Sequence, residues 1–294
     1  MKVIFSLIII MLISCDKTNS TYIPLPPEGE RFSNVPLNYI LTRPVSEASG
    51  IADSKTIPDH LWVIEDSGNP AKLFLLKHEG YVTDSFELKG AINRDWEDVV
   101  VAKGPDNSGS YLYIGDIGDN SSQYPSYTIY RVPEPNSFVD TITGFDSIQF
   151  TYPDGSHDAE AFLVDDDTKD IYLITKRDAS SKVYKIPYPQ DTENMNQAQF
   201  VADLDFTGVV SASLSAEGNE MILKTYSQLF YYTRAPKEGL AVTMAKVPTD
   251  TLAYQLEPQG EAVAFANNNS GFFTLSEKGL SDNSPNLLYY RRTR

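Results

Sequence analysis

A weak internal repeat of roughly fifty residues constrains the fold of this chain more than any other feature. Each unit opens on a short, mainly apolar run: EASGIA (47–52), WEDVVVA (96–102), AEAFLV (159–164), VSASLS (210–215) and GEAVAFA (260–266). A second run follows as LWVIEDSGN (61–69), YLYIGDIGDN (111–120), IYLITKRD (171–178), MILKTYS (221–227) and FFTLSEKG (272–279). The third is rich in aromatics: AKLFLLKHEG (71–80), YTIYRVPEP (127–135), SKVYKIPYP (181–189), QLFYYTRAP (228–236) and NLLYYRR (286–292). The first four units add a fourth run: DSFELKG (84–90), DSIQFTYPDG (146–155), AQFVADLDF (198–206) and TLAYQLEPQG (251–260). These runs are short and bounded by Gly, Asn, Asp and Pro, which is the pattern of β-strands. No stretch sustains a 3.6-residue apolar period, so little helix is expected.

The last unit ends after its third strand, and PLNYILTRPV (36–45) precedes the first unit. Pairing that N-terminal strand with the last unit closes a ring and removes an open sheet edge. The expected fold is therefore all-β, a five-bladed β-propeller occupying residues 36–294 as one domain. Six blades, the less favoured alternative, would need a further unit, and a β-sandwich would not produce the period.

The chain begins MKVIFSLIIIMLISC, one lysine ahead of an apolar run that stops at Cys15, the single cysteine. That run is too short for a membrane span and has the form of an export signal. Its LISC ending resembles a bacterial lipobox, which implies cleavage after residue 14 and lipidation of Cys15. The proline-rich polar stretch 15–35 reads as lipidated cysteine and tether. The expected location is the bacterial envelope, as a lipoprotein of the cell membrane or outer membrane, with the lipid as its contact to the membrane. A formal charge of −16 argues against nucleic acid and against docking on anionic lipid. A monomer is expected.

In a propeller the innermost strand of each blade lines the central channel. Aligning the first runs on their apolar residues puts Ser49, Glu97, Glu160, Ser211 and Glu261 in one axial ring. Three carboxylates so close raise one another's pKa unless a cation sits among them. An all-oxygen set on a flexible ring suits Ca²⁺ better than Mg²⁺. The alternative is a metal-free polar plug of protonated or backbone-capped carboxylates.

The ends of the second runs share that face. They bring Asp66 and Asn69, Asp116, Asp119 and Asn120, Lys176 and Arg177, and Lys224, beside Arg94 and His157 from the approaches to the first strands. The acids belong to the first two blades and the bases to the next two. Such a pocket over a divalent ion suits a phosphorylated or carboxylated ligand. Asp66 or Asp116 as base, with Arg177 on the developing charge, would suit phosphoester hydrolysis. Asp and Asn are equally common turn residues, and the basic residues could be paired surface charges. The sequence holds no G-x-S-x-G elbow, HExxH or Walker loop.

The motifs EASGI, LWVIEDSGN, NRDWEDVVV, YLYIGDIGDN and DAEAFLV resemble exported bacterial propellers near the SdiA-regulated and "esterase-like activity of phytase" families, chiefly over residues 45–190. A more distant likeness is to the calcium-dependent nucleotidases (apyrases), five-bladed propellers with a central Ca²⁺. That likeness implies axial Ser and Glu ligands in the order found here, and phosphate-side roles for Lys176 and Arg177. The early acidic pair of that family corresponds to Glu65 and Asp66, with Glu here in place of Asp. Two functions are thus expected to compete: a ligand-binding or scaffold module for a small molecule or protein, and a calcium-dependent hydrolase of phosphoesters or phosphoanhydrides.

Overall fold

The computed structural model describes residues 31–41, 45–107, 109–136, 141–279 and 285–293. They form five antiparallel sheets, one for each unit of the repeat. Blade 1 consists of Ala48–Asp53, His60–Glu65, Lys72–Lys77 and Val82–Leu88. Blade 2 is Trp96–Lys103, Ser110–Asp116, Tyr127–Pro133 and Asp146–Thr151, and blade 3 is Ala159–Val164, Ile171–Thr175, Lys182–Ile186 and Gln199–Asp203. Val209–Leu214, Glu220–Thr225, Leu229–Thr233 and Asp250–Leu252 make blade 4, with one short helix, Leu240–Met244, before its outer strand. Blade 5 takes Ala262–Phe265, Gly271–Leu275 and Asn286–Arg291 from the C-terminus. Leu37–Ile40 completes it, antiparallel, with Leu37 opposite Tyr289 and Ile40 opposite Asn286. The innermost strands pack side by side in ring order, and that of blade 5 returns to that of blade 1. The protein is a five-bladed β-propeller.

Both faces of each blade are covered by neighbours, so strand side chains are buried whichever way they point. His60–Glu65 and Ile171–Thr175 are buried along their whole lengths, which explains their continuous apolar runs. The core divides accordingly into five clusters, one at each blade interface. Trp62 and Trp96 anchor the interface of blades 1 and 2, and Tyr184 meets Tyr152 edge-on and His157 at a tilt between blades 2 and 3.

Polar latches cross the same interfaces. Glu134 accepts from Ser54 Oγ at 2.7 Å, Lys55 N at 3.0 Å and Trp62 Nε1 at 2.9 Å, tying blade 2 to blade 1. Asp119 N donates to Asp158 at 2.7 Å, Arg234 pairs with Asp165 at 2.7 Å, and Arg292 pairs with Glu220 at 2.6 Å. Asn267 N donates to Asp53 at 2.7 Å, joining blade 5 to blade 1. These carboxylates are mostly buried, and each has its partner in the adjoining blade or its connection, as buried acids require.

Two details depart from the sequence reading. The tether ends before residue 35: Phe32 is buried against blade 5, bridges to Arg292, and makes edge contact with Phe272. Blades 1 and 2 each gain a two-residue fifth strand, Thr141–Ile142 and Asn196–Gln197, added in parallel to the outer edge. Such additions shield an edge that would otherwise offer unpaired backbone groups. Cys15 and the rest of the apolar leader lie outside the described residues.

Candidate functional site

The first strands of blades 1 to 4 each begin with a register shift. In blades 1, 2 and 3 the residue skipped by the ladder is Ser49, Glu97 and Glu160. A bulge of this kind bends the strand and re-aims one side chain. In blade 4 the skipped residue is Val210, so Ser211 stands one position further along, opposite Lys224. Glu261 directly precedes the first strand of blade 5.

The five residues of the expected ring therefore divide into different environments. Ser49 donates its hydroxyl to Trp96 O at 2.7 Å. Ser211 lies a layer deeper, 3.3 Å from Asp98 Oδ2, and accepts from Val263 N at 3.2 Å. Both hydroxyls are thus engaged within the protein. Glu160 accepts from Lys176 Nζ, while Glu261 accepts from the Tyr226 hydroxyl and lies 4.0 Å from the same ammonium. Glu97 is buried without a lysine or arginine partner among the described residues.

Glu97 instead meets other acids. Asp66, Asp95 and Glu97 each offer an oxygen, and these oxygens lie within 4.8 Å of one another. Asp66 comes from the end of the second strand of blade 1 and is half-exposed, whereas Asp95 and Glu97 are buried on either side of Trp96. Asp116 holds this segment in place, its Oδ1 accepting from Asp95 N at 2.8 Å and Arg94 N at 3.1 Å. Gly118 closes the other side. A side chain there would collide with the carboxylates of Glu97 and Asp95 and would have to displace them.

The electrostatics follow from burial and crowding. Burial first, then the charges of Glu160, Asp66, Asp95 and Glu261, hold Glu97 well above the usual carboxylate range. Burial and the neighbouring Asp66 raise Asp95 to about 7. Burial raises Glu160 to about 8, with Lys176 opposing and Glu261 adding to the rise. Burial and Glu261 raise Glu277 to about 9. One oxygen each of Glu160 and Glu277 is buried with no hydrogen-bond partner. The axis thus carries more negative groups than Lys176 neutralises, and protons or a cation must supply the balance.

The remaining candidates are distributed around this centre. Arg177 is exposed, pairs with Asp158 at 2.5 Å and donates to Asn120. Asn69 donates to Asp66 O at 3.1 Å and shapes the turn that carries that acid. Arg94 donates to Ser126 O at 2.9 Å and lies 4.1 Å over the Tyr124 ring. Asp119 is buried, accepting from Gln123 N, Tyr124 N and the Tyr127 hydroxyl. His157 is held between Asp154, Asp178 and Tyr184. Lys224 is fully buried, donates to the Tyr254 hydroxyl at 2.5 Å and lies 3.8 Å from Glu257. Burial lowers it to about 8 against the pull of Glu257.

Among these, Asp66 and Lys176 contact the axial acids and Arg177 pairs with Asp158, while Asp116, Asp119 and Arg94 hold loops. Asp95 was not among the expected ligands. Its signal is the spacing D-W-E, which sets two carboxylates two residues apart on a strand edge, on one side of the chain.

No family model matches the sequence, and no curated protein matches it. Among solved structures, a luciferin-regenerating enzyme aligns with a TM-score of 0.50 at 10% identity, covering 88% of this chain and 95% of that one. A chain of a nidogen/laminin complex aligns with a TM-score of 0.47 at 9% identity, covering 79% and 72%. The first likeness supports the propeller fold and nothing finer.

Proposed function

We propose that this protein is a calcium-binding propeller of the bacterial envelope, acting as a ligand-binding or scaffold module. The observation that carries the cation is the convergence of Asp66, Asp95 and Glu97 within 4.8 Å, with no lysine or arginine paired to them among the described residues. The donors are all oxygens and all carboxylates, the set that a hard cation takes. Waters and backbone carbonyls would complete a shell of six to eight, which Ca²⁺ accepts more readily than Mg²⁺. Glu160 and Glu261 add long-range negative charge, while Lys176 keeps them from forming a second, equivalent set of ligands.

The envelope assignment rests on the sequence alone, through the apolar leader and its LISC ending at Cys15. Mass spectrometry of the mature N-terminus tests it directly, since a diacylglyceryl group on Cys15 is expected.

Trp96, seated between Asp95 and Glu97, offers a test of the cation. Tb³⁺ substitutes for Ca²⁺ at oxygen sites, and excitation of Trp96 should sensitise its luminescence. Added Ca²⁺ should displace the signal, and Glu97→Gln should remove it. No sensitised signal would set the cation aside and leave the carboxylates as a protonated plug.

Calcium-dependent hydrolysis of a phosphoester or phosphoanhydride is the second reading, favoured by the exposed Arg177 beside the acidic centre. Asp66 is the more exposed candidate base, whereas Asp116 is buried with its Oδ1 held by two backbone N–H groups. Turnover of a nucleoside diphosphate that requires Ca²⁺ and is lost in Arg177→Ala would establish it.

A further inference from the structure

The central channel has a second mouth, on the face opposite the carboxylates. All five innermost strands line it, among them at Ile51, Val101, Leu163, Leu214 and Ala264. The chamber holds about 400 Å³, a size typical of small-molecule sites, and its lining mixes apolar strand residues with polar and charged ones.

A narrow waist separates this chamber from the cation centre. Asp98, fully buried, accepts from Val99 N at 2.9 Å and Ala212 N at 3.3 Å, and meets the Ser211 hydroxyl at 3.3 Å. Gly50 packs so tightly there that a Cβ would lie 2.8 Å from Asp98 Cα. The two ends of the channel are therefore chemically independent.

The rim of the chamber is charged, and most of its charges are already matched. Asp53 accepts from Asn267 N at 2.7 Å, and Asp165 pairs with Arg234 at 2.7 Å. Asp166 meets Lys55 at 3.4 Å and accepts from Lys103 N at 2.7 Å. The Lys103 ammonium lies 3.5 Å from Asp166 O and has no carboxylate partner among the described residues, and among the acids Asp167 and Glu217 remain. They are exposed, come from neighbouring blades 3 and 4, and have no lysine or arginine partner among the described residues. Glu217 receives one hydrogen bond, from Asn269 Nδ2 at 2.6 Å. Five acids and three bases line this mouth, so in a chain of charge −16 it attracts cations and repels anions.

We propose that this mouth binds an amphiphilic cation, with an apolar chain or ring seated in the channel and an amine or quaternary ammonium held at the rim by Asp167 and Glu217. This site is separate from the calcium centre and does not depend on it.

Titration calorimetry of the full chain with 4-phenylbutyltrimethylammonium, and in parallel with 4-phenylbutyrate, tests the proposal. The ammonium should bind at one saturable site, about tenfold or more tighter than the carboxylate, because the rim charges favour one sign. EDTA should leave this binding unchanged. Leu214→Trp, at a half-buried position on the wall, should fill the chamber and abolish it. The double variant Asp167→Asn/Glu217→Gln alters exposed side chains only. It should erase the preference for the ammonium while leaving the unfolding temperature in place, so the test survives even if Leu214→Trp fails to fold. Absence of saturable binding by either probe, equal binding of both by the parent chain, or binding retained in a folded Leu214→Trp would each overturn the proposal.

Discussion

Lys176 donates its ammonium to Glu160 at the axis of the propeller, so one of the carboxylates that the repeat sends to the channel has a built-in counter-ion. The same ammonium lies 4.0 Å from Glu261. This pairing breaks the symmetry of the ring. It leaves the negative charge of blades 1 and 2, at Asp66, Asp95 and Glu97, to be balanced from outside.

Removing that ammonium should expose its role. Lys176→Met leaves Glu160 buried without its partner, and breaking a buried pair from one side costs about 3 kcal/mol or more. Thermal unfolding in EDTA should show the loss. Added Ca²⁺ should recover more stability in the variant than in the parent chain, because two further carboxylates become free to face the ion.

The acidic centre should make the metal-free protein respond to pH in a definite direction. Asp95, Glu160 and Glu277 have folded pKa values raised to about 7, 8 and 9, above those of the unfolded chain. Ionising them disfavours the folded state, so their contribution to stability should increase as pH falls from 9 towards the ordinary carboxylate range. Ca²⁺ competes with those protons. Its affinity should rise between pH 6 and pH 8, and calorimetry in buffers of different ionisation enthalpy should register proton release on binding.

The latch between blades 4 and 5 should respond in the opposite sense. Burial alone would raise Glu220, but hydrogen bonds from Arg292 and Tyr231 prevail and hold it below its usual value. Its contribution is present above the unfolded pKa and is lost as pH falls through the folded one. The stability difference between the parent chain and Glu220→Gln should therefore be largest near neutrality and shrink in acid. Urea titrations at a series of pH values would measure it.

Gly50 should tolerate no side chain. A Cβ at that position meets the backbone of Asp98 and Val99 at 2.8 Å, where two innermost strands touch. Gly50→Ala should cost about 1–3 kcal/mol, the usual range for overpacking, and more if the ring cannot widen. Chemical unfolding of the variant against the parent chain gives the value.

How far the sequence disclosed all this depended on the range over which each signal acts. The four-strand period was legible because each strand is buried on both faces and marked by turn residues, and the ring closure through Leu37–Ile40 followed from a missing outer strand. The bulges were not legible. A one-residue shift in blade 4 puts Val210 where the other blades have Ser49, Glu97 and Glu160, and a match of apolar runs cannot distinguish it from Ser211. Nor does sequence reveal which acids are spoken for. Asp119 and Asp116 have the composition of ligands, yet both oxygens of Asp119 and the Oδ1 of Asp116 accept from backbone N–H groups in their own and adjoining loops. The D-W-E spacing sets Asp95 beside Glu97, but that Asp66 joins them from another blade shows only in the fold.

The most direct test of the cation centre is thermal unfolding of the full chain in EDTA, and then with Ca²⁺ or Mg²⁺ in excess. A site present only in the folded state stabilises by about 2.7 kcal/mol at a hundredfold excess over its dissociation constant. A rise in unfolding temperature with Ca²⁺, smaller with Mg²⁺ and abolished by Glu97→Gln, is the predicted result. An unfolding temperature that neither ion moves would contradict the account and make the axial acids a proton-filled plug.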